Sequence, residues 1–345
     1  MWLENKAFAE DMEQIAAAPF IPWERLKGKT VLVTGATGLI GYALTSALLY
    51  RGVSVLALVR DRERAEAKFA AQLREGRPLS FAVGTVEAPG RMDGPVDYLL
   101  HCAAPTGSRY FVERPVETIK TVVDGTENML ELAREKGCLG MVFLSSMEVY
   151  GQVAEKRVLA EDCLGTLDLS SPRTSYPEAK RLAENLCVCY ASEYGVPVKT
   201  VRLAQTFGPG VDREDGRVFA YVARCALDGV DVSLKTDGTK ENMYLYTADA
   251  VTAILTVLLL GESGGIYNAA NEGTYSSVKD MARTGMDALG RRDLKVRVNA
   301  GGREAEGYGP QGYLYLDTSA LKRLGWKPEV GLSDMYVRMA AGFKT

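Results

Sequence analysis

Tyr176-Pro177-Glu178-Ala179-Lys180 sets a phenol and an ammonium one helical turn apart on the same face. A lysine ammonium in that position lowers the tyrosine pKa electrostatically, which suits the phenol to general acid–base work near neutral pH. The spacing alone does not distinguish a site, because Tyr275-Ser276-Ser277-Val278-Lys279 repeats it. Chain order separates the two pairs. Tyr176 follows the run Phe143-Leu144-Ser145-Ser146, which reads as a strand delivering the Ser146 hydroxyl to the carboxyl edge of a sheet, where ligands bind in open α/β folds. Tyr275 lies far outside that region, and Tyr275 and Lys279 read as a structural helix start.

A second motif stands near the start of the chain. Thr34-Gly35-Ala36-Thr37-Gly38-Leu39-Ile40-Gly41 follows an apolar strand directly and opens a helix. In a dinucleotide site Gly35 permits the tight turn, Gly38 lets the backbone approach a pyrophosphate, and Gly41 lets helix and strand pack closely. The helix N-terminus supplies free N–H groups and a positive dipole. At the end of the next strand, Val59-Arg60-Asp61 places a cation where NAD enzymes usually present an acid to the ribose. Arg60 fits the 2′-phosphate of NADP, while Asp61, two residues past the acid position, keeps NAD open.

Strands and helices must alternate to hold these residues. The runs 30–34, 54–59, 79–83, 97–101, 141–145 and 198–203 are apolar and strand-like, and 39–50, 65–74, 115–136 and 177–194 carry helical spacing. That rhythm predicts βαβ units, a parallel sheet covered on both faces, and right-handed crossovers that make it doubly wound. After Ala204 the rhythm changes, with Gly, Pro and charged residues frequent through Gly208–Arg217 and Gly301–Gly312. The expected organisation is an N-terminal helical extension over 1–28 and a dinucleotide-binding domain over 29–204 with a returning segment at about 232–261. A smaller α/β substrate lobe is expected from 205–231 and 262–345. The apolar stretch 250–260 reads as a buried helix, too short for a bilayer.

Composition narrows the function classes. Of 345 residues 41 are Lys or Arg and 44 are Asp or Glu, so a net charge of −3 argues against nucleic acid or an anionic membrane as the main partner. One histidine, His101, and six cysteines without a Cys-x-x-Cys pair leave too few soft ligands for a zinc site, so no metal is expected. Reduced thiols and an N-terminus without a secretory pattern point to a cytoplasmic protein.

Taken in order, Thr34–Gly41, Leu100-His101-Cys102-Ala103-Ala104, Ser145-Ser146-Met147-Glu148-Val149-Tyr150-Gly151 and Tyr176–Lys180 resemble the extended short-chain dehydrogenase/reductases, over about residues 29–270. Within that group the chain is similar to nucleotide-sugar epimerases, dehydratases and decarboxylases. The resemblance implies a Rossmann-type domain holding NAD or NADP tightly, Arg60 tilting the choice to NADP. Gly35, Thr37, Gly38, Leu39, Ile40, Gly41, Arg60, Ala103, Ala104, Tyr176 and Lys180 would line the cofactor. It also implies that Tyr176 takes the proton of a C4 hydroxyl as hydride leaves for the nicotinamide, with Ser146 bonding that oxygen and Lys180 holding the nicotinamide ribose. Hydride return then closes the cycle without net redox change. Glu148 would remove a C5 proton or position the ring, as in an epimerase or a UDP-uronate decarboxylase. Met147 cannot protonate a leaving hydroxyl, which weakens a 4,6-dehydratase reading.

On the substrate side the resemblance points to Ser146, Met147, Gln205, Arg217 and Asn242. Gln205 stands where Asn is usual in the group, and Asn242 where an Arg usually pairs with the diphosphate; Arg217 or Lys240 could supply the missing charge. Homodimerisation is expected through helices carrying Leu130, Leu132, Leu182, Leu186 and Val188. Two other readings compete: an NADPH-dependent ketone or aldehyde reductase, favoured by Arg60, and a non-catalytic dinucleotide-sensing protein on the same fold.

Overall fold

The computed structural model describes residues 2–153, 155–298 and 312–344. Seven strands pair in parallel as one sheet, in the order β11-β7-β5-β4-β1-β2-β3. These are β1 (Thr30–Thr34), β2 (Ser54–Val59), β3 (Leu79–Val83), β4 (Tyr98–His101), β5 (Gly140–Ser146), β7 (Val198–Leu203) and β11 (Ile266–Ala269). The order reverses between β1 and β4, so their carboxyl ends open the crevice where such sheets bind ligands.

Side-chain alternation splits the core into two layers. Val31, Val33, Val142 and Leu144 face one layer, while Leu32, Met141 and Phe143 face the other. On the first face lie α1 (Lys6–Ala17), α2 (Leu39–Tyr50), the short α3 (Arg62–Lys68) and α4 (Ala70–Arg74), and the later α9 (Thr247–Leu260), whereas α5 (Ser108–Glu113) puts Phe111 in the second layer. On the second face α6 (Pro115–Lys136) packs along α7 (Ser175–Tyr194). The predicted helix 65–74 is two helices that meet at Phe69, whose ring is fully buried against Tyr42.

The N-terminal residues form a docked helix. Asn5 caps α1 by accepting from the Phe8 amide at 3.1 Å, and Phe8, Met12 and Ile15 are buried. Each such side chain contributes about 1.5–3 kcal/mol by leaving water. Asp11 is buried as well; it accepts from the Tyr246 hydroxyl at 2.7 Å and pairs with Arg338 at 3.1 Å, which ties the two ends of the chain together.

A second sheet is built on β10 (Glu241–Tyr246). That strand pairs antiparallel with β12 (Asn271–Ser277) and parallel with β8 (Gln205–Phe207) and β14 (Tyr313–Leu316), and β6 (Val158–Leu159) adds to β14. A separate ribbon joins β9 (Val232–Leu234) to β13 (Val296–Val298). Helices α8 (Val218–Asp228), α10 (Val278–Ala288) and α12 (Leu332–Ala341) pack together, and α11 (Ser319–Arg323) lies against β11. The chain returns to the large sheet through α9 and β11, residues 247–269. β9 and β10, inside the 232–261 expected from sequence, pair elsewhere because strand partners are chosen in three dimensions. Residues 299–311, most of the glycine-rich stretch noted above, lie outside the described residues.

Candidate active site

The turn between β1 and α2 has the geometry its glycines require. Gly35 sits at φ +64°, and a Cβ there would stand 2.9 Å from the Ala103 amide nitrogen. A Cβ on Gly41 would stand 2.7 Å from the Gly35 carbonyl carbon, so only glycine allows this contact of helix and turn. Gly38 caps α2 with no side chain bonded to the first-turn amides, and Thr37, Gly38, Leu39 and Ile40 remain solvent-accessible. A helix N-terminus with uncommitted amides, approached by glycine, fits the pyrophosphate of a dinucleotide. Lys68, which sequence reading missed, donates to the Thr37 carbonyl at 2.6 Å and lies over the Tyr42 ring. At the end of β2, Arg60 is exposed, whereas Asp61 caps α3 by accepting from the Arg64 amide at 3.0 Å.

The ends of β1 and β4 are cinched beside this turn. The Thr34 hydroxyl accepts from the Cys102 and Ala103 amides, each at 3.1 Å, so its own proton goes to His101 Nδ1 at 2.8 Å. His101 therefore carries its proton on Nε2. Burial, aided by the Lys180 charge, drives its pKa down to about 3, so the ring stays neutral. Ala103 and Ala104 are half-buried at the crevice.

Ser146, Tyr176 and Lys180 converge at the carboxyl end of β5. Ser146 Oγ accepts from the Glu148 amide at 3.2 Å and starts a 3-10 turn, 147–150. The Tyr176 ring stacks on Phe111 with centroids 4.3 Å apart and planes at 6°. Burial and the Glu148 charge hold the Tyr176 phenol well above its ordinary pKa, and the Ser146 hydroxyl pulls it partly back. Lys180 is buried, donates to the Leu144 carbonyl at 2.6 Å, and lies 4.4 Å from the Phe143 ring centroid and 5.8 Å from that of Tyr176. The helical spacing predicts a phenol lowered by its lysine. The structure holds the phenol high instead, because burial outweighs a charge committed to a carbonyl. The same burial brings Lys180 down to about 8. Tyr275 and Lys279 are not a helical pair: Tyr275 is on β12 bonding Glu241, and Ser277 caps α10 before Lys279.

A charged cluster adjoins the phenol. Arg173 donates from Nη2 to Glu148 Oε2 at 2.8 Å, and its guanidinium lies 5.1 Å from the Phe111 ring centroid. Glu148 and Arg173 are also the charges that act on the half-buried Lys240. Arg173 was not singled out from sequence, although its place three residues before Tyr176 was a usable signal; Phe111 gave none. Met147 is half-buried against the core, Gln205 is half-buried on β8, and Asn242 is buried on β10 with Oδ1 lacking a hydrogen-bond partner. Arg217 is held by Asp215, Nε to Oδ1 at 3.0 Å and Nη2 to Oδ2 at 2.6 Å.

The chain is similar to known proteins over most of its length. Residues 31–270 match the NAD dependent epimerase/dehydratase family. The chain is 28% identical to UDP-glucuronic acid decarboxylase 6 of Arabidopsis thaliana, over 91% of this chain and 88% of that protein. It is 29% identical to UDP-glucuronic acid decarboxylase 1 of Xenopus tropicalis, over 89% of this chain and 70% of that one. Among solved structures, the dTDP-glucose 4,6-dehydratase of Streptomyces venezuelae with NAD bound superposes at a TM-score of 0.77 with 26% identity, covering 91% of this chain and 97% of that chain. The UDP-glucose 4-epimerase of Thermus thermophilus in complex with NAD gives a TM-score of 0.75 with 26% identity, covering 91% and 99%.

Proposed function

This chain belongs to the NAD-dependent epimerase/dehydratase family, and on that premise we propose that it transiently oxidises a nucleotide-diphosphate sugar at C4, with Glu148 acting at C5. The observation that carries the reading is the convergence of Ser146, Tyr176 and Lys180 beside the open Gly35–Gly41 turn. NAD, when bound, supplies the hydride acceptor. Gly35, Thr37, Gly38, Leu39, Ile40, Gly41, Ala103 and Ala104 would hold it, and Lys180 would meet its ribose.

Tyr176 exchanges a proton with the C4 oxygen, and Ser146 orients that oxygen. The neutral phenol is the resting form, because burial and, after it, the Glu148 charge disfavour a phenolate. Proton abstraction therefore needs positive charge nearby, and Lys180 is the buried cation on the same helix. Glu148, next to the phenol, is placed to take a proton from the adjacent carbon. Met147 has no proton to offer a leaving hydroxyl, so we favour an epimerase- or decarboxylase-like outcome over dehydration.

Arg60 is exposed at the end of β2 while Asp61 serves as a helix cap, which supports a 2′-phosphate and hence NADP. We further propose that two copies associate through the outer face of α6 and α7, where Ile119, Leu182 and Val188 are exposed. Leu130 is fully buried inside the monomer, and Leu132 and Leu186 pack partly against its core. The six cysteines are unpaired, which supports a reducing compartment. Among the described residues no helix is long and apolar enough to cross a membrane.

Mass spectrometry of nucleotide released on denaturation tests the reading. Stoichiometric NAD⁺ or NADP⁺ supports a cofactor retained through the cycle, and its mass decides the role of Arg60. Protein that is empty as isolated and binds NADPH reversibly would favour the reductase.

A further inference from the structure

The first residues of the chain lie ahead of the stretch that matches the family, yet they reach the dinucleotide turn. The route runs through Tyr42, one residue past Gly41. Phe8 of α1 packs on the Tyr42 ring with centroids 5.6 Å apart. The Trp2 amide donates to the Tyr42 hydroxyl, which also accepts from Gln72 Nε2 at 3.1 Å. Trp2 is itself buried, with its indole N–H on Glu75 at 2.7 Å. Phe69 packs on the same ring at 5.0 Å. Contacts from two distant segments thus fix where this ring stands.

The ring in turn carries Lys68. The ammonium lies 5.2 Å from its centroid and donates to the Thr37 carbonyl at 2.6 Å. The peptide between Thr37 and Gly38 is therefore held at both ends, its carbonyl by Lys68 and its N–H by the Gly35 carbonyl at 2.9 Å. That peptide precedes the first turn of α2, whose amides no side chain caps. Its orientation sets where those N–H groups point, and they are the groups that would meet a pyrophosphate. A turn fixed before its ligand arrives loses less freedom on binding, and the gain shows mainly as slower release.

Resting on the dinucleotide reading of this turn, we propose that Lys68 is a positioning residue for it and that the N-terminal segment, through Trp2, Phe8 and Tyr42, braces Lys68 in place. Retention of the dinucleotide then depends on residues 2–8 as well as on the glycines. Loss of the N-terminal contacts frees the Tyr42 ring and Lys68, lets the Thr37–Gly38 peptide turn, and quickens release. Because the brace acts on the backbone of the turn, it serves NAD and NADP alike.

Stopped-flow release of NADH and NADPH from the purified full-length protein tests this, followed by nicotinamide fluorescence after mixing with excess oxidised dinucleotide. Melting temperatures of the nucleotide-free proteins are read alongside. Lys68→Met should speed release of both dinucleotides about tenfold, and Lys68→Arg, which keeps a donor and a cation over the ring, should restore most of the retention. Phe8→Leu should speed release about threefold, and combining it with Lys68→Met should add little, because the two act along one path. Ile15→Ala, two turns further along α1, should lower the melting temperature at least as much as Phe8→Leu and leave release unchanged. Unchanged release from Lys68→Met would overturn the inference. Faster release of NADPH alone would make the lysine a direct ligand of the 2′-phosphate and overturn the positioning role. Additive effects of the pair, or equal loosening by Ile15→Ala, would reduce the N-terminal segment to a general stabiliser and overturn the brace. An unmodified protein that binds neither dinucleotide would remove the dinucleotide reading and the inference with it.

Discussion

Replacing Tyr176 with Phe deletes one hydroxyl and keeps the ring that stacks on Phe111. Turnover should fall by about 10²–10⁴-fold, the usual worth of a positioned acid–base group, while the melting temperature and cofactor affinity stay put. Tyr275→Phe, which loses a bond to Glu241 on β10, should leave turnover nearly unchanged. A reversed pattern in a sugar-conversion assay would move the active site. Lys180 sets a pH limit. Burial lowers it to about 8, so its ammonium is present below that pH and lost above it. Activity that depends on the charge should therefore decline as pH rises through about 8, and Lys180→Arg should shift that limb upward in a kcat/KM profile. The stability sign is opposite. The folded state binds fewer protons than the unfolded chain between about 8 and the ordinary lysine value, so this group favours folding as pH rises through that window. Tyr176 and Lys180 were legible as a pair because helical spacing is local. The direction of the Tyr176 shift was not, because it comes from burial under other elements and, after that, from Glu148.

At the scale of elements, the β1–α2 turn and the strand carrying Ser146 behave as rigid supports. Gly41→Ala forces a methyl against the Gly35 carbonyl group, and overpacking of this kind costs about 1–3 kcal/mol. The variant should melt lower and bind dinucleotide at least tenfold more weakly in a fluorescence titration, and unchanged binding would show that the turn can yield. Behind the site, Arg202 on β7 pairs with Glu184 on α7 at 2.7 Å and donates to the Tyr150 hydroxyl at 3.1 Å. Tyr150 closes the 3-10 turn that carries Glu148, and it also bonds Asn268 on β11 at 2.7 Å. This buried network sets the tyrosine helix against the glutamate turn, and breaking one partner leaves an uncompensated charge. The strand–turn–helix unit was readable because its period switches within a dozen residues. The network was not, since its members lie 18 to 118 positions apart.

At the scale of the whole molecule, the N-terminal helix bonds β10 and α12 through Asp11. Asp11 and Asp249 are buried carboxyls raised by burial to about 6 and about 7. A raised carboxyl favours folding fully below its unfolded value near 4 and loses that contribution as pH rises through the folded value. Thermal stability should therefore fall between about pH 4 and 7, and Asp11→Asn should flatten part of that slope in a melting series. Association is the other question at this scale. If α6 and α7 pair two copies, Ile119→Glu with Leu182→Glu should convert a dimer to a monomer in sedimentation velocity without unfolding it, because both residues face solvent in the monomer.

The sequence by itself determined the parallel sheet, the glycine turn between β1 and α2, and the meeting of Ser146 with Tyr176 and Lys180 at one sheet edge. All of these follow from periodicity and from groups a few residues apart, or from the order of strands that a crossover must respect. Tertiary structure alone decided what surrounds them. It brought Phe111, Arg173 and Lys240 to the phenol, spent Asp61 on a helix cap and Arg217 on Asp215, and sent the chain back to the sheet through 247–269. Those outcomes depend on burial and on charges from distant segments, which act through space and leave no period in the chain.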